Sequence, residues 1–284
     1  MDFGKRAVRQ ARKYGGKIEI SSKVELRNRA DLSTVYTPGV AEVSRQIAAD
    51  KDKVWQLTMK KNTVAVVSDG SAVLGLGDIG PEAALPVMEG KALLFKKFAG
   101  VDAWPIVLAT QDTRQIIETV ERIAPGFGGV NLEDISAPRC FEIERELIKR
   151  LDIPVFHDDQ HGAAIVVVAG LMNALKVVKK SLMKVRIVVN GVGAAGGATV
   201  RLLEFMGVED ILALDSQGVL YQGRQNMDWS KKELAEMTPE LATQKYLELI
   251  KSVEVNVLES NAINKQLQLK ESNEDNEANK FKRK

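Results

Sequence analysis

The sequence has a single cysteine, and it shows no pattern typical of a secretory signal. The single cysteine, Cys140, excludes an intramolecular disulfide and is typical of a reducing compartment, so we expect a cytoplasmic protein. The first 17 residues are basic but contain no apolar core, unlike a secretory signal. The longest apolar run, 163–172, is too short to span a bilayer, which predicts that the chain has no membrane partner.

A strong charge of one sign and internal repeats are also missing. The formal net charge is only +2, from 40 basic and 38 acidic residues, so the sequence predicts no nucleic-acid partner. What the sequence does have is length and apolar content. With 284 residues, of which 45% are hydrophobic, the chain can bury a substantial core, and we expect two domains.

Short apolar runs alternate with helical patterns along most of the chain. Runs such as 63–68 and 103–108 consist almost wholly of apolar residues, which is typical of strands covered on both faces. Helical patterns separate them. This alternation predicts an α/β protein with a mostly parallel sheet.

Two acidic pairs follow strand-like runs. Glu133-Asp134 comes shortly after the turn and short strand at 126–130, and Asp158-Asp159 comes after the run at 153–156. Strand-to-helix loops are places where a scaffold holds carboxylates near a ligand. The alternative is an ordinary turn or helix cap, which is the commoner role of adjacent aspartates.

Three further features before residue 100 allow two interpretations each. Lys91 lies in an otherwise apolar helical stretch, where it either extends to solvent or is held near a carboxylate. The glycines of 69–80 mark either a ligand contact or a plain turn. Tyr36 precedes the turn at 37–39 and, taken alone, is an ordinary half-buried aromatic residue.

A glycine loop joins a strand to a helix in the second half. The strand at 184–190 is followed by Gly191-Val192-Gly193-Ala194-Ala195-Gly196, with a helix expected from Gly197, and Asp215 ends the next strand. This context predicts a dinucleotide site, against the alternative of a plain glycine-rich turn. The pyrophosphate would lie at the helix N-terminus. Asp215 would accept from the ribose hydroxyls and repel a 2′-phosphate, which favours NAD over NADP.

These segments together resemble the malic enzyme family, in particular its short bacterial type. The resemblance is carried, in the family's order, by five segments: 36–41, 68–80, 89–91, 131–134 and 156–160. It implies an N-terminal substrate and metal domain followed by a doubly wound, Rossmann-type NAD-binding domain. It also implies roles for individual residues: Tyr36 as general acid, Lys91 as general base with Asp158 beside it, Glu133, Asp134 and Asp159 as metal ligands, and Gly191, Val192, Gly193, Ala194, Ala195, Gly196 and Asp215 as NAD contacts.

The resemblance implies oxidative decarboxylation of (S)-malate to pyruvate and CO₂ with NAD. Three carboxylates without nearby cysteines favour Mg²⁺ or Mn²⁺. Burial and the metal are expected to lower the pKa of Lys91, while Asp158 acts in the opposite direction. The alternatives are a metal-dependent oxaloacetate decarboxylase and an inactive family member. The expected small-molecule partners are malate, oxaloacetate and pyruvate, and we expect a homodimer.

The resemblance also predicts the domain boundaries. We expect the substrate and metal domain at 1–160, a partial nucleotide domain at 161–260, and a polar, disordered tail at 261–284. Nothing after Thr238 resembles the family, so we expect the nucleotide domain to be incomplete. His157 and His161 are interpreted as structural residues near the site.

Overall fold

A computed structural model of the chain describes residues 2–237. The predicted tail at 261–284, and the part of the predicted nucleotide domain beyond 237, lie outside the described residues.

The first 60 residues form four helices that bury none of their side chains. They are α1 (Phe3–Tyr14), α2 (Arg29–Val35), α3 (Gly39–Ala49) and α4 (Val54–Leu57). Asp2 caps α1 by accepting from the Lys5 amide, and Gly15 ends it in the left-handed conformation at φ 67°. Single-turn helices at 51–53 and 59–62 lead into the first sheet.

The first sheet has four parallel strands. They are β1 (Thr63–Ser68), β2 (Asp102–Val107), β3 (Gly129–Leu132) and β4 (Val155–His157), in the order β2-β1-β3-β4. Because all four run in one direction, their carboxyl ends meet at the same edge of the sheet, where open α/β sheets bind ligands.

Three helices connect these strands: α5 (Pro81–Leu94), α6 (Thr113–Ile123) and α7 (Arg139–Arg150). α5 continues through Pro86 and is followed by a wider turn at 95–99. The apolar faces of α6 and α7 bury Ile116, Val120, Ile143 and Leu147 against β1 and β3. This packing supplies the core on which the carboxyl edge of the sheet rests.

The second sheet has three strands: β5 (Ile187–Asn190), β6 (Ile211–Asp215) and the two-residue β7 (Gly218–Val219). β5 and β6 are parallel, whereas β7 is antiparallel to β6. Three helices accompany them: α8 (Ala163–Val177), α9 (Ala194–Phe205) and α10 (Trp229–Glu236). α9 begins three residues before the expected start at Gly197. The predicted α/β class with a parallel sheet is confirmed.

The turn at Asp158–Gly162 and α8 form one continuous helical stretch, Asp158–Val177, of 20 residues. Its length and mean hydropathy satisfy the requirements for crossing a membrane, although the apolar run alone is shorter. Only 17% of the apolar window is buried. One such helix is weak evidence, since core helices of soluble proteins pass the same test.

Candidate active site

Three carboxylates converge beyond the carboxyl ends of two neighbouring strands. Glu133 and Asp134 follow β3, and Asp159 follows β4, which pairs alongside it with Leu132 opposite His157. One carboxylate oxygen from each acid lies within 4.8 Å of the other two. The structure therefore brings together the three residues that the resemblance implies as metal ligands.

Hydrogen bonds hold two of these three carboxylates in place. The Asp134 amide donates to Asp159 Oδ2 at 2.9 Å, and Asn131 Nδ2 donates to Glu133 Oε2 at 2.8 Å. Asp134 adopts a left-handed conformation at φ 53°, which aspartate tolerates better than most residues. The ligand geometry is therefore fixed by the chain itself.

The buried acids of this cluster carry more negative charge than the neighbouring Lys91 compensates. Burial raises the pKa of Glu133 to about 7, although the Lys91 charge opposes this. Burial, and next the charge of Asp159, raise the pKa of Asp134 to about 6. Asp134 Oδ2 is buried without a hydrogen-bond partner. A hard divalent cation such as Mg²⁺ or Mn²⁺ would supply that partner, so these residues fit the metal that the resemblance implies.

Lys91 reaches the same cluster from α5. Its Nζ lies 2.8 Å from Asp158 Oδ2 and 3.0 Å from Glu133 Oε1. Burial lowers the pKa of Lys91, but the hydrogen bonds and charges of these two carboxylates outweigh it, so the pKa lies above its usual value. The expected lowering by burial is present, but the two carboxylates outweigh it. Of the two interpretations of Lys91, the structure shows the one in which carboxylates hold it.

The turn at 158–162 directs the two adjacent aspartates towards different partners. Residues 158–162 form one wide helical turn, from which Asp158 faces Lys91 while Asp159 faces Asp134. A side chain at Gly162 would collide with Asp158 Oδ1. Glycine at this position therefore leaves room for the carboxylate that holds Lys91 Nζ.

Arg139 holds together the loops that follow β1 and β3, a role that sequence reasoning missed. Its guanidinium donates to Asp69 Oδ2 at 2.8 Å, to Ser71 Oγ and Ser136 Oγ at 2.9 Å, and to the Gln111 carbonyl at 2.7 Å. Asp69 is fully buried, and a buried carboxylate needs such a partner. The acid in the Ser-Asp-Gly-Ser segment was the available signal, but its partner lies 70 residues away.

Tyr36 does not join the cluster. Its side chain is 67% exposed at the C-terminal end of α2. Within residues 2–237, its hydroxyl forms no hydrogen bond with Lys91 or with any of the four carboxylates. The implied role of Tyr36 as general acid therefore stays a prediction.

The glycine loop lies between β5 and α9, as predicted. Gly191 has φ 103°, a conformation that side chains rarely adopt, and a Cβ at Gly196 would overlap the Gly191 carbonyl oxygen. The glycines thus permit the close approach of α9 to the end of β5. A cavity of about 330 Å³ opens beside this loop; the residues around it include Gly191, Val192, Gly193, Asp215, Ser216, Ser230 and Lys231.

Asp215 borders this cavity, but its carboxylate is already paired. Arg224 donates to both of its oxygens, at 3.0 and 2.6 Å, and Lys231 Nζ lies 2.8 Å from Oδ2. The Arg224 hydrogen bonds hold the pKa of Asp215 well below its usual range. The two cations beside the carboxylate weaken the expected repulsion of a 2′-phosphate, which stays a prediction.

Comparisons with known proteins agree with this architecture. Residues 15–115 match the family model "Malic enzyme, N-terminal domain", and residues 160–267 match "Malic enzyme, NAD binding domain". The first match contains Lys91, and the second contains the glycine loop and Asp215. Because the second match continues to residue 267, the expectation that nothing after Thr238 resembles the family is wrong.

Curated relatives and solved structures belong to the same family. The chain is 60% identical over 226 residues to an NAD-dependent malic enzyme of Geobacillus stearothermophilus, covering 79% of this chain and 47% of the relative. A bifunctional malic/malolactic enzyme of Bacillus subtilis (strain 168) is 61% identical over 224 residues, with 78% and 55% covered. The crystal structure of the NAD-dependent malic enzyme from Thermotoga maritima superposes with a TM-score of 0.81 at 49% identity, covering 83% and 63%.

The chain spans about half the length of the curated relatives that it matches. Within that span, both family models occur in the expected order and the parallel α/β structure follows a solved member. The chain belongs to the malic enzyme family.

Proposed function

We propose that the chain binds NAD and a divalent metal and converts (S)-malate to pyruvate and CO₂. The observation that carries this proposal is the contact of Lys91 Nζ with Asp158 at 2.8 Å and with Glu133 at 3.0 Å, beside two more carboxylates. A positioned amine next to a cation site suits removal of a hydroxyl proton from a metal-bound hydroxy acid. Relatives named as NAD-dependent malic enzymes support the same reaction.

Each protein group has one role in this proposal. Glu133, Asp134 and Asp159 would hold Mg²⁺ or Mn²⁺, and Gly191–Gly196 would receive the NAD pyrophosphate at the N-terminus of α9. When bound, the metal supplies polarisation of the substrate oxygen at C2, and NAD supplies the hydride acceptor.

Lys91 removes the proton from the substrate's 2-hydroxyl, for which its amine must be neutral. In the metal-free chain its pKa is raised by Asp158 and Glu133 against the effect of burial. Compensation of the Glu133 charge removes part of this increase. The pKa of Lys91 then falls towards the pH at which the amine can act as a base. Asp158 keeps the amine aimed at the cluster. Tyr36 is proposed as the donor that protonates C3, on the family resemblance.

A second candidate is metal-dependent decarboxylation of oxaloacetate. Asp215, the expected ribose acceptor, is occupied by Arg224 and Lys231, whereas the carboxylate cluster and Lys91 are assembled. Decarboxylation of a β-keto acid needs the metal and a proton donor but no hydride transfer. Our proposal therefore ranks this activity second, ahead of a non-catalytic role.

Two assays on the purified chain with Mn²⁺ distinguish these candidate functions. We expect NADH formation from malate, and we expect Lys91→Ala to abolish it because no other amine contacts the cluster among residues 2–237. Lys96→Ala is the matched control, because Lys96 is exposed and pairs with Asp102. Pyruvate from oxaloacetate without NADH from malate would favour the second candidate. Silence in both assays from folded protein would leave a non-catalytic family member.

Several expectations about partners and location remain proposals. We propose malate, oxaloacetate and pyruvate as small-molecule ligands, a homodimer, and a cytoplasmic location without nucleic-acid or membrane binding. Sedimentation of the purified chain measures the oligomeric state.

A further inference from the structure

A buried glutamate on α7 contacts the turn that carries Asp158 and Asp159. Glu144 is 4% exposed and lies in the middle of the helix, on its buried face with Ile143 and Leu147. A carboxylate at such a position is costly unless several donors satisfy it. The structure shows three donors, all from residues 157–161.

The three hydrogen bonds tie Glu144 to both ends of this turn. The His157 amide donates to Oε1 at 2.8 Å, Gln160 Nε2 donates to Oε2 at 3.0 Å, and His161 Nε2 lies 2.9 Å from Oε2. Within residues 2–237, β4 is an edge strand of the first sheet, and no strand of that range lies beside its outer amides to accept from them. Glu144 accepts from the amide of the last β4 residue, directly before the two aspartates.

This arrangement leaves the aspartates between two anchored points. His157 precedes Asp158 in the chain and Gln160 follows Asp159, and both are fixed to the same carboxylate. Asp159 in turn accepts from the Asp134 amide at 2.9 Å. The direction in which Asp159 faces the other two acids is therefore determined by a residue that does not itself touch them.

We propose that Glu144 is the positioning residue of the metal site: by accepting three hydrogen bonds from 157–161 it fixes Asp159 for metal binding and Asp158 for contact with Lys91. This inference rests on the proposed function, because it concerns the same cation site. Removal of such an outer partner from a metal site weakens metal binding by about 10–100-fold. Glu144 is not a catalytic residue.

The test is Mn²⁺ affinity of the folded chain, measured from the electron paramagnetic resonance signal of free Mn²⁺. Glu144→Ala should weaken binding by at least about tenfold, and Glu144→Gln by roughly two- to fivefold, because the amide keeps one acceptor but loses the charge. Glu146→Gln is the matched control, since Glu146 lies on the same helix and pairs only with surface cations. ADP-ribose affinity should stay unchanged in all three, whereas a general folding defect would lower both affinities.

A double-mutant cycle keeps the test decisive if Glu144→Ala does not fold. His161 is half-exposed, so His161→Ala should fold, and we expect it to weaken Mn²⁺ binding by about threefold in the natural background but by less than twofold beside Glu144→Gln. Effects that simply multiply, or a folded Glu144→Ala that binds Mn²⁺ as tightly as the natural chain, would overturn the positioning role alone. A natural chain that binds no Mn²⁺ would overturn the metal site and this role together.

Discussion

At the carboxyl end of the first sheet, side chains form the candidate site; at the same end of the second sheet, the backbone does. Glu133, Asp134 and Asp159 place three carboxylates within 4.8 Å of one another, with two of them buried. At β5, by contrast, the turn of Gly191–Gly196 presents amides and a cavity, and the acid nearby, Asp215, is already paired with two cations.

The two sites differ in how the charges of their acids are balanced. Pairing lowers the pKa of Asp215, whereas burial raises the pKa values of Glu133 and Asp134. Asp134 Oδ2 has no partner at all. The acids of the first site therefore have a charge imbalance that a cation would remove, whereas Asp215 in the second site is already balanced by Arg224 and Lys231.

The largest expected effect is that of a substitution at Gly196. A methyl group there would overlap the Gly191 carbonyl oxygen, so Gly196→Ala must displace the turn or α9. We expect a loss of stability on the order of 4 kcal/mol and of NAD binding, measured by urea unfolding and calorimetric titration. Gly197→Ala is the control, because its Cβ meets only side-chain atoms at 3.4 Å. Equal tolerance of both changes would mean that the turn is not shape-limited.

The next largest effect should come from Asp159→Asn. The change keeps the side-chain shape but removes one of three negative charges, and we expect Mn²⁺ affinity to fall by about 100-fold, or roughly 3 kcal/mol. Asp158→Asn is the control, since Asp158 faces Lys91 and should change metal affinity by less than about tenfold. Equal losses in both variants would contradict the division of roles between the adjacent aspartates.

Sequence reasoning located the first site because its signals are local. Strands such as Thr63–Ser68 are nearly all apolar, and the acids directly follow strands that a parallel sheet brings together. The same holds for the glycine loop, whose strand-turn-helix context is contiguous. The pattern therefore predicted the fold class and marked both acidic pairs, whereas the grouping of Glu133, Asp134 and Asp159 came from the family resemblance.

The contacts that the sequence did not predict join residues that are far apart in the chain. Arg139 and Asp69 are 70 residues apart, and Arg145 reaches Glu233 on α10, a helix that no local pattern had indicated. The charge state of Asp215 depends on Arg224 and Lys231, nine and 16 residues further along. Such pairs are set by tertiary packing, which overrides local preference, so a single sequence does not reveal them.

A smaller loss of stability is expected for a substitution at Asp215. Asp215→Asn leaves the buried Arg224 guanidinium without its carboxylate, but the Gly218 and Val219 carbonyls still accept from it. We therefore expect a cost of roughly 2 kcal/mol, below that of a fully orphaned buried ion, by urea unfolding. Glu118→Gln, which removes the half-buried partner of the exposed Arg114 and Arg122, should cost less than about 0.5 kcal/mol. A negligible cost at Asp215 would mean that its carboxylate is free for ribose after all.

The smallest expected effect is a pH dependence of the metal-free chain. Because burial raises the pKa of Glu133 to about 7 and of Asp134 to about 6, the folded chain binds more protons than the unfolded chain between about pH 4 and 7. Stability should therefore fall as pH rises through that interval, by on the order of 1–2 kcal/mol from about pH 5 to pH 8, seen as a lower Tm.

Asp215 does not mask this trend, because its lowered pKa places its own loss of stability in strong acid. Asp134→Asn removes one of the two titrating acids and should flatten the slope, since asparagine also tolerates the φ of 53° at this position. Mn²⁺ should oppose the slope, because it competes with protons for the same oxygens and stabilises the folded chain most above about pH 7. Burial lowers the pKa of His157, which opposes this trend, so the decisive comparison is between the two chains: an unchanged slope in Asp134→Asn would show that Asp134 is satisfied without a cation.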